Sequence, residues 1–302
     1  MFYYKIKTPV AFVIFNRPDT TKKVFAEIAK ARPPKLLVIA DGPRADHPDD
    51  VEKCAAVRTI IDGVDWDCEV LTNYSDVNLG CKFRISSGLD WVFDTVEEAI
   101  ILEDDCLPHP TFFRFCEELL ERYRDDERVM HIGGNNFLCS RENLKYSYYF
   151  SMYSHIWGWA TWRRAWKYYD VEMKLWPTIR DNEWMQSIFD DKQYAKNRKN
   201  IWGAVHGGKI DTWDYQWLFA VLTQNGLSIL PKVNLISNIG FGQDATHTQK
   251  DEKMRANLQT SSVEFPFIHP PFMVRDAVAD ERYLKIDLNW KLRLFEILKH
   301  IM

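Results

Sequence analysis

Long apolar runs are missing from this chain of 302 residues. No stretch approaches the roughly 20 consecutive apolar residues that a membrane-spanning helix needs. The first residues, Met1–Lys7, show no long apolar stretch behind a basic start, so a signal peptide is not expected. The six cysteines include no Cys-x-x-Cys pair. Free thiols in a reducing compartment are therefore expected, rather than a zinc site or a disulfide framework, and the predicted location is the cytoplasm.

A basic block is missing as well. The formal net charge is only −4, so a nucleic-acid partner is not expected. The sequence shows no internal repeat and no low-complexity linker, and its apolar fraction of 46% is ordinary for a globular protein. A chain of this length can bury one large core or two small ones.

Strand-like and helix-like segments alternate in the first third of the chain. Strands are predicted over 10–15, 36–40, 68–71 and 99–102, with helices over 19–29, 49–61 and 82–95. This alternation predicts a doubly wound parallel sheet that binds ligands at the carboxyl ends of its strands. Further on, helices are predicted over 110–124 and 214–225 and strands over 129–134, 227–230 and 233–236, whereas 146–202 is aromatic-rich and irregular.

Polar residues follow each predicted strand of this first third at the point where the strand ends. Asn16-Arg17, Asp41-Gly42 and Thr72-Asn73 follow the first three, and the fourth ends in Glu103-Asp104-Asp105. Three adjacent carboxylates after an apolar strand cost stability through repulsion and desolvation. A divalent cation offsets that cost, and Mg²⁺ or Mn²⁺ is commonly held by one or two carboxylates plus substrate phosphates. The run therefore predicts a metal–diphosphate site, and the alternative is an acidic loop exposed to water.

The order of these motifs resembles the GT-A fold of nucleotide-sugar glycosyltransferases over roughly residues 8–248. The likeness is to inverting enzymes of the N-acetylglucosaminyltransferase I type and to bacterial family-2-like relatives. It is carried by Ile101–Leu107 with the following Phe112-Phe113, by Ile156–Trp159, and by the segment from Phe241-Gly242 to Thr246-His247. The resemblance implies an α/β fold with a doubly wound, Rossmann-like mixed sheet and helices on both faces.

The resemblance also implies how the chain divides into domains. The GT-A domain would span 1–248, with a nucleotide-binding half over about 1–106 and an acceptor half over about 107–248. Residues 249–302 would form a C-terminal extension that ends in an amphipathic helix. Its apolar and basic residues favour either an anionic membrane surface or docking on protein.

The resemblance also implies how a metal would be held. Asp105 would bind Mn²⁺ or Mg²⁺, while Glu103 and Asp104 would orient the ribose, the sugar or the metal's other ligands. For Glu103 the alternative is a structural hydrogen bond. His247 would be a further metal ligand or a phosphate contact on a mobile, glycine-hinged loop, and the alternative is a solvated loop histidine.

Nucleotide contacts are expected from Asn16, Arg17 and Asp41, with Asp41 on the uracil edge if the donor is UDP-linked. The alternative for Asp41 is a turn residue ahead of Gly42-Pro43. Lys82 lies in the first turn of a predicted helix, where backbone amides and cations can meet a phosphate. An exposed basic turn is the alternative there.

An inverting transferase needs one base that takes the proton of the acceptor hydroxyl. Asp214 is the candidate, because it lies in the first turn of a predicted helix between aromatic residues and the resembled family places its base near such a helix start. The alternative is a helix-capping aspartate, and Asp211 is the second candidate for the base.

Aromatic and amide residues are the candidates for the donor or acceptor pocket. Trp157 and Trp159 would build its wall, and Gly158 would let a sugar approach the backbone. Asn135 and Asn136 follow another predicted strand and would bind acceptor hydroxyls. Core packing and an ordinary turn are the respective alternatives.

The predicted function is a metal-dependent inverting hexosyl- or N-acetylhexosaminyltransferase in polysaccharide biosynthesis. It would use a nucleotide-diphosphate sugar, UDP-linked as the resemblance implies, and a glycan or glycolipid acceptor. It would work in the cytoplasm, at the inner face of the membrane if the C-terminal helix binds lipid. One alternative is a non-catalytic carbohydrate- or nucleotide-binding protein on the same scaffold. Another is a sugar-1-phosphate nucleotidyltransferase, which would need a glycine-rich loop where this chain has Phe15–Pro18.

Overall fold

The computed structural model describes residues 4–141, 144–240 and 257–287. Within these ranges the strands are β1 (Val10–Ile14), β2 (Lys35–Ala40), β3 (Glu69–Tyr74), β4 (Glu98–Glu103), β5 (Cys106–Pro108), β6 (Val129–Gly133), β7 (Tyr148–Ser151), β8 (Trp159–Trp162), β9 (Leu227–Pro231) and β10 (Ile236–Asn238). The helices are α1 (Pro18–Ala31), α2 (Asp49–Ile61), α3 (Gly80–Thr95), α4 (Thr111–Arg122), α5 (Arg163–Trp166), α6 (Trp176–Asp181), α7 (Met185–Ile188), α8 (Lys192–His206) and α9 (Asp214–Thr223). Residues 277–287 are also helical and are called the C-terminal helix below.

Eight of the ten described strands form one sheet in the order β3-β2-β1-β4-β8-β6-β9-β7. The four strands β3, β2, β1 and β4 are parallel, as the alternating sequence pattern predicts. The sheet as a whole is mixed, because β8 runs antiparallel between β4 and β6 and β7 runs antiparallel to β9. The α/β fold with a mixed sheet is thereby confirmed, and a purely parallel sheet is wrong.

Both faces of the sheet carry helices. Alternate residues of β1 point to opposite faces: Val10, Phe12 and Ile14 belong to one core with residues of α1, α2 and α4. Ala11 and Val13 belong to a second core with residues of α3, α5 and α9. Two buried faces explain why β1 is a continuous apolar run rather than an alternating one.

The segment 146–202, which looks irregular in the sequence, contains two strands of this sheet. All four residues of β7 and all four of β8 are buried. Each strand is short, so the segment offers too few residues for a clear strand period. It is β8 that separates the two parallel parts of the sheet.

A two-stranded ribbon lies beside the acidic run. Residues 233–236 were expected to form a strand, but the strand is β10, shifted toward the C-terminus, and it pairs with β5. The amide of Ile239 donates to the carbonyl oxygen of Asp105 at 2.8 Å. The chain that leaves β10 therefore starts next to Asp105.

The described part of the C-terminal extension packs on the sheet edge formed by β7. Arg275 forms a β-bridge with Phe150, whose carbonyl oxygen accepts from the amide of Asp276. The C-terminal helix is held by a buried ion pair in which Arg198 donates to Asp287 at 2.5 Å. None of the described helices is long and apolar enough to cross a membrane. The proposed lipid contact concerns residues beyond 287, outside the described ranges.

Candidate active site

The acidic run lies where the neighbouring strands β1 and β4 end, and Arg17 lies against it. A guanidinium nitrogen of Arg17 is 2.7 Å from Oδ2 of Asp105 and 3.6 Å from Oδ1 of Asp104. Asp104 also accepts from the amide of Phe15 at 3.2 Å and is only 7% exposed. The run is therefore not an acidic loop in water, and Asp104 holds the end of β1 to the end of β4.

Crowding of these carboxylates perturbs their protonation. Burial, then the charge of Asp105, raises the pKa of Asp104 to about 7, although Arg17 opposes the shift. Burial and the charges of Asp105, Asp104 and Asp214 raise the pKa of Glu103 well above its usual range. The guanidinium of Arg17 therefore does not offset the burial and mutual repulsion of these carboxylates, and the pKa values of Glu103 and Asp104 stay raised.

Asp214 converges on the same place from α9. It is the first residue of that helix and is partly buried, and its charge acts on Glu103. The hydroxyl of Thr212 donates to its carboxylate. The N-cap of α9 is Trp213, and no side-chain cap hydrogen bond is found there among the described residues, so the helix-capping alternative for Asp214 has no support.

Asp41 is fully engaged in fixing the start of α3. Its carboxylate accepts from the amides of Gly42 (2.9 Å), Leu79 (2.9 Å) and Gly80 (3.1 Å) and from the side chain of Asn78 (3.1 Å). It is 6% exposed. These contacts favour the structural alternative over a contact with a uracil edge.

Lys82 and Asp211 contact each other at the first turn of α3. The amide of Lys82 donates to Oδ1 of Asp211 at 3.2 Å, and the Lys82 ammonium lies 3.9 Å from Glu172. Because carboxylates already accept from the amides of this first turn, a phosphate site there has little support.

Asn16 belongs to a network that sequence reasoning missed. Asn16 donates to Asp50 at 2.7 Å, and Arg44 holds the same carboxylate with two nitrogens at 2.7 and 3.1 Å. The hydrogen bond from Arg44 is the main cause that lowers the pKa of Asp50 to about 2. The only sequence signal is an acidic residue in the first turn of α2. Arg44 adds a second cation near the end of β1, 5.6 Å from the ring of Phe15.

Three of the pocket candidates are buried, which favours their structural alternatives. Trp159 has no exposed surface and stacks on His131 (5.2 Å) and Trp213 (5.6 Å). Asn136 donates to the carbonyl oxygen of Pro231 and shapes its own turn. Asn135 is also buried, and neither atom of its side-chain amide has a hydrogen-bond partner within the described part of the chain.

Trp157 and Gly158 form a turn next to the acidic run. Trp157 is partly buried and packs edge-on against Phe137 at 5.1 Å. Gly158 has a φ of +57°, and a Cβ there would lie 2.4 Å from Ile236. A Cβ at Gly158 would also lie 3.2 Å from the side chain of Leu102, the residue before the acidic run. The positive φ and the close side chain of Ile236 therefore favour glycine here, whatever approaches this turn.

The oxygen atoms of Asp105 suit a metal ion whose remaining ligands come from a bound nucleotide. Within the described ranges no group of three or more His, Cys, Asp and Glu side chains could hold a metal. Asp105 itself offers hard oxygen atoms at the edge of the sheet, and Mg²⁺ often takes one or two carboxylates together with substrate phosphates. His247 and Gly242 lie outside the described residues. The residues present therefore suit a nucleotide-bound cation better than a cation held by protein alone.

Comparisons with known proteins give only distant similarities. No protein family and no curated protein matches the sequence. Among solved structures, the mannosyltransferase PcManGT from Pyrobaculum calidifontis, in complex with GDP-Man and Mn²⁺, is 14% identical with a TM-score of 0.36. The aligned part covers 52% of this chain and 45% of that chain, less than half of the mannosyltransferase.

Two further neighbours cover more of the chain. A UDP-glucose pyrophosphorylase complexed with UDP-glucose is 8% identical with a TM-score of 0.39, over 77% of this chain and 93% of that one. Mouse xyloside xylosyltransferase 1 in its apo form is 8% identical with a TM-score of 0.34, over 72% and 81%. These neighbours are glycosyltransferases and a nucleotidyltransferase, and at such values they do not place the chain in a family.

Proposed function

We propose that this protein is a metal-dependent inverting glycosyltransferase that uses a nucleotide-diphosphate sugar, most simply a UDP-sugar. One observation carries the proposal: Arg17 and Asp105 meet where β1 and β4 end, at the carboxyl edge of the sheet, and the charge of Asp214 at the start of α9 acts on Glu103 of the same run. Ligands of doubly wound folds bind at that edge.

Arg17 would bind the diphosphate. Its guanidinium is the cation of this edge that touches the acidic run, and its side chain is 23% exposed. Guanidinium groups bind phosphates bidentately. Arg17 would thus orient the leaving group over the ends of β1 and β4.

Asp105 would hold Mn²⁺ or Mg²⁺ together with the diphosphate. When bound, such a cation stabilises the negative charge of the leaving nucleoside diphosphate without proton transfer. Asp104, which holds the amide of Phe15, would keep this part of the edge in place.

Asp214 would act as the general base. Its carboxylate takes the proton of the acceptor hydroxyl while the acceptor oxygen bonds to the anomeric carbon. The bond from that carbon to the phosphate oxygen breaks, and its electron pair leaves with the nucleoside diphosphate through an oxocarbenium-like transition state. Attack opposite to the leaving group inverts the anomeric centre.

The acceptor would be a hydroxyl of a glycan or a glycolipid, and the protein would work in the cytoplasm. Trp157 is the pocket candidate that keeps a partly exposed ring beside the site. Polysaccharide biosynthesis is the process in which such a transfer would take part.

Calorimetric titration with UDP, GDP, dTDP and CDP, each with and without Mn²⁺, tests this proposal. Wild type is expected to bind one diphosphate in a metal-dependent manner, and Asp105→Ala should weaken that binding by about tenfold or more. Asp126→Ala is the matched control, because Asp126 pairs with Arg128 at the surface. If wild type binds none of the four under either condition, the proposal is wrong.

Asp214→Asn separates catalysis from binding. The variant should bind the same diphosphate as wild type and should consume the donor sugar at least about a hundredfold more slowly, as expected for loss of a general base. A wild-type protein that binds the diphosphate but consumes no donor with any acceptor would be a carbohydrate- or nucleotide-binding protein instead.

A further inference from the structure

We infer that Arg17 and the metal compete for Asp105, and that Arg17 leaves Asp105 for the diphosphate when the nucleotide binds. This inference rests on the proposed function and adds an order of binding to it. The protein without nucleotide would hold metal weakly, and nucleotide and metal would enter the site together.

Arg17 contacts one carboxylate oxygen of Asp105, the residue proposed to hold the metal. The 2.7 Å contact joins the guanidinium to Oδ2, and a Cβ at Gly240 would lie 2.2 Å from that same oxygen. The backbone at Gly240 therefore lies on one side of Oδ2, and the Arg17 guanidinium lies on another. The second oxygen, Oδ1, lies 3.5 Å from the side chains of both Asn238 and Cys106.

A divalent cation on Asp105 would be a close neighbour of the Arg17 guanidinium. Two cations at such a distance repel each other strongly at the edge of a protein, where screening by water is incomplete. Either Arg17 moves or the metal does not bind. A diphosphate between the two cations removes the conflict, since its oxygens can face both.

The Arg17 side chain can make this move without disturbing the fold. Its carbonyl oxygen is fixed at the start of α1, where it accepts from the amide and the hydroxyl of Thr21 at 3.0 and 2.7 Å. The guanidinium stands on a flexible stem and is partly exposed. A phosphate offers it two oxygens in a bidentate arrangement, so the guanidinium can exchange Asp105 for a phosphate while the backbone of Arg17 stays fixed.

Titration with Mn²⁺ alone, followed by calorimetry and by the paramagnetic resonance signal of free Mn²⁺, tests the inference. Arg17→Ala should bind Mn²⁺ about tenfold more tightly than wild type, because its competitor is gone. In saturating Mn²⁺ the same variant should bind UDP at least about tenfold more weakly, because a phosphate ligand is gone. A residue that merely bound phosphate would change the second affinity only.

Three further variants sharpen the test. Arg17→Gln removes the charge at nearly the same size, so it should shift both affinities in the same directions even if Arg17→Ala folds poorly. Arg17→Lys keeps the charge and should bind Mn²⁺ about as wild type does. Arg44→Ala is the matched control, since it removes a nearby cation that holds Asp50 rather than Asp105, and Mn²⁺ affinity should not change.

The outcomes separate this inference from the proposed function. If wild type binds UDP with Mn²⁺ while Arg17→Ala and Arg17→Gln bind Mn²⁺ no more tightly than wild type does, the competition is disproved and the proposed function stands. If no nucleoside diphosphate binds wild type, the proposed function fails, whatever the Mn²⁺ affinities are.

Discussion

His131, a fully buried histidine on β6, should make folding stability strongly dependent on pH. Its Nε2 is 3.0 Å from the carbonyl oxygen of His155, and its Nδ1 is 3.1 Å from Nε1 of Trp217. Because an indole nitrogen only donates, Nδ1 must accept, Nε2 must carry the proton, and the ring is neutral. A second proton on the ring would place an N–H at Nδ1 of His131 directly against the indole N–H of Trp217.

The size of the effect follows from the shifted pKa. Burial lowers the pKa of His131 from 6.5 to about 3. Between these values the unfolded chain binds a proton that the folded chain does not, so stability is fully present above pH 6.5 and falls as the pH falls. The loss is about 1.4 kcal/mol per pH unit. From pH 7 to about 4.5 it amounts to about 2.5 kcal/mol of unfolding free energy.

Urea unfolding of wild type and His131→Gln at several pH values between about 4.5 and 7 measures this effect. The variant should already be less stable at pH 7 by about 1–3 kcal/mol, since it loses the stacking on Trp159. Its stability should then fall less on acidification, by about 2.5 kcal/mol in comparison with wild type. Asp104 and Asp280, whose pKa values are also raised, are present in both proteins and cancel in the difference. Equal pH profiles for the two proteins would refute a neutral, buried His131.

Four other substitutions test individual contacts by urea unfolding, and one of them, at Asp41, is also tested by amide exchange. Asp287→Ala should cost about 3–5 kcal/mol, because it leaves the buried guanidinium of Arg198 without its carboxylate; a cost below about 1 kcal/mol would mean that the C-terminal helix is not docked. Gly208→Ala should cost only about 1 kcal/mol, for its φ of +69° in open space. Gly158→Ala should cost about 1–3 kcal/mol more than Gly208→Ala, because its new methyl group would overlap the side chain of Ile236. Equal losses for the two variants would contradict the close packing at Gly158. Asp41→Ala should cost about 1–3 kcal/mol and speed amide exchange at the start of α3, whereas unchanged exchange there would show that the carboxylate does not hold those amides.

The general form of the candidate site was predictable from the sequence. Parallel strands share their carboxyl edge, so the polar residues after the first and fourth strands, Arg17 and Glu103–Asp105, had to meet if those strands were neighbours. They are neighbours in the sheet. The partners of Asp41 were not predictable in the same way, because they come from the start of α3, 37 to 39 residues further along the chain.

By itself, the sequence determined the first seven elements and the edge at which their polar ends gather, because buried strands and amphipathic helices leave periodic apolar patterns within a few residues. Only the tertiary structure decided the insertion of β8, the docking of Asp287 on Arg198 across 89 residues, and which carboxylate of the acidic run Arg17 bonds to, namely Asp105. Such contacts join residues far apart in the chain. Their geometry depends on how whole elements pack, and local patterns carry no record of it.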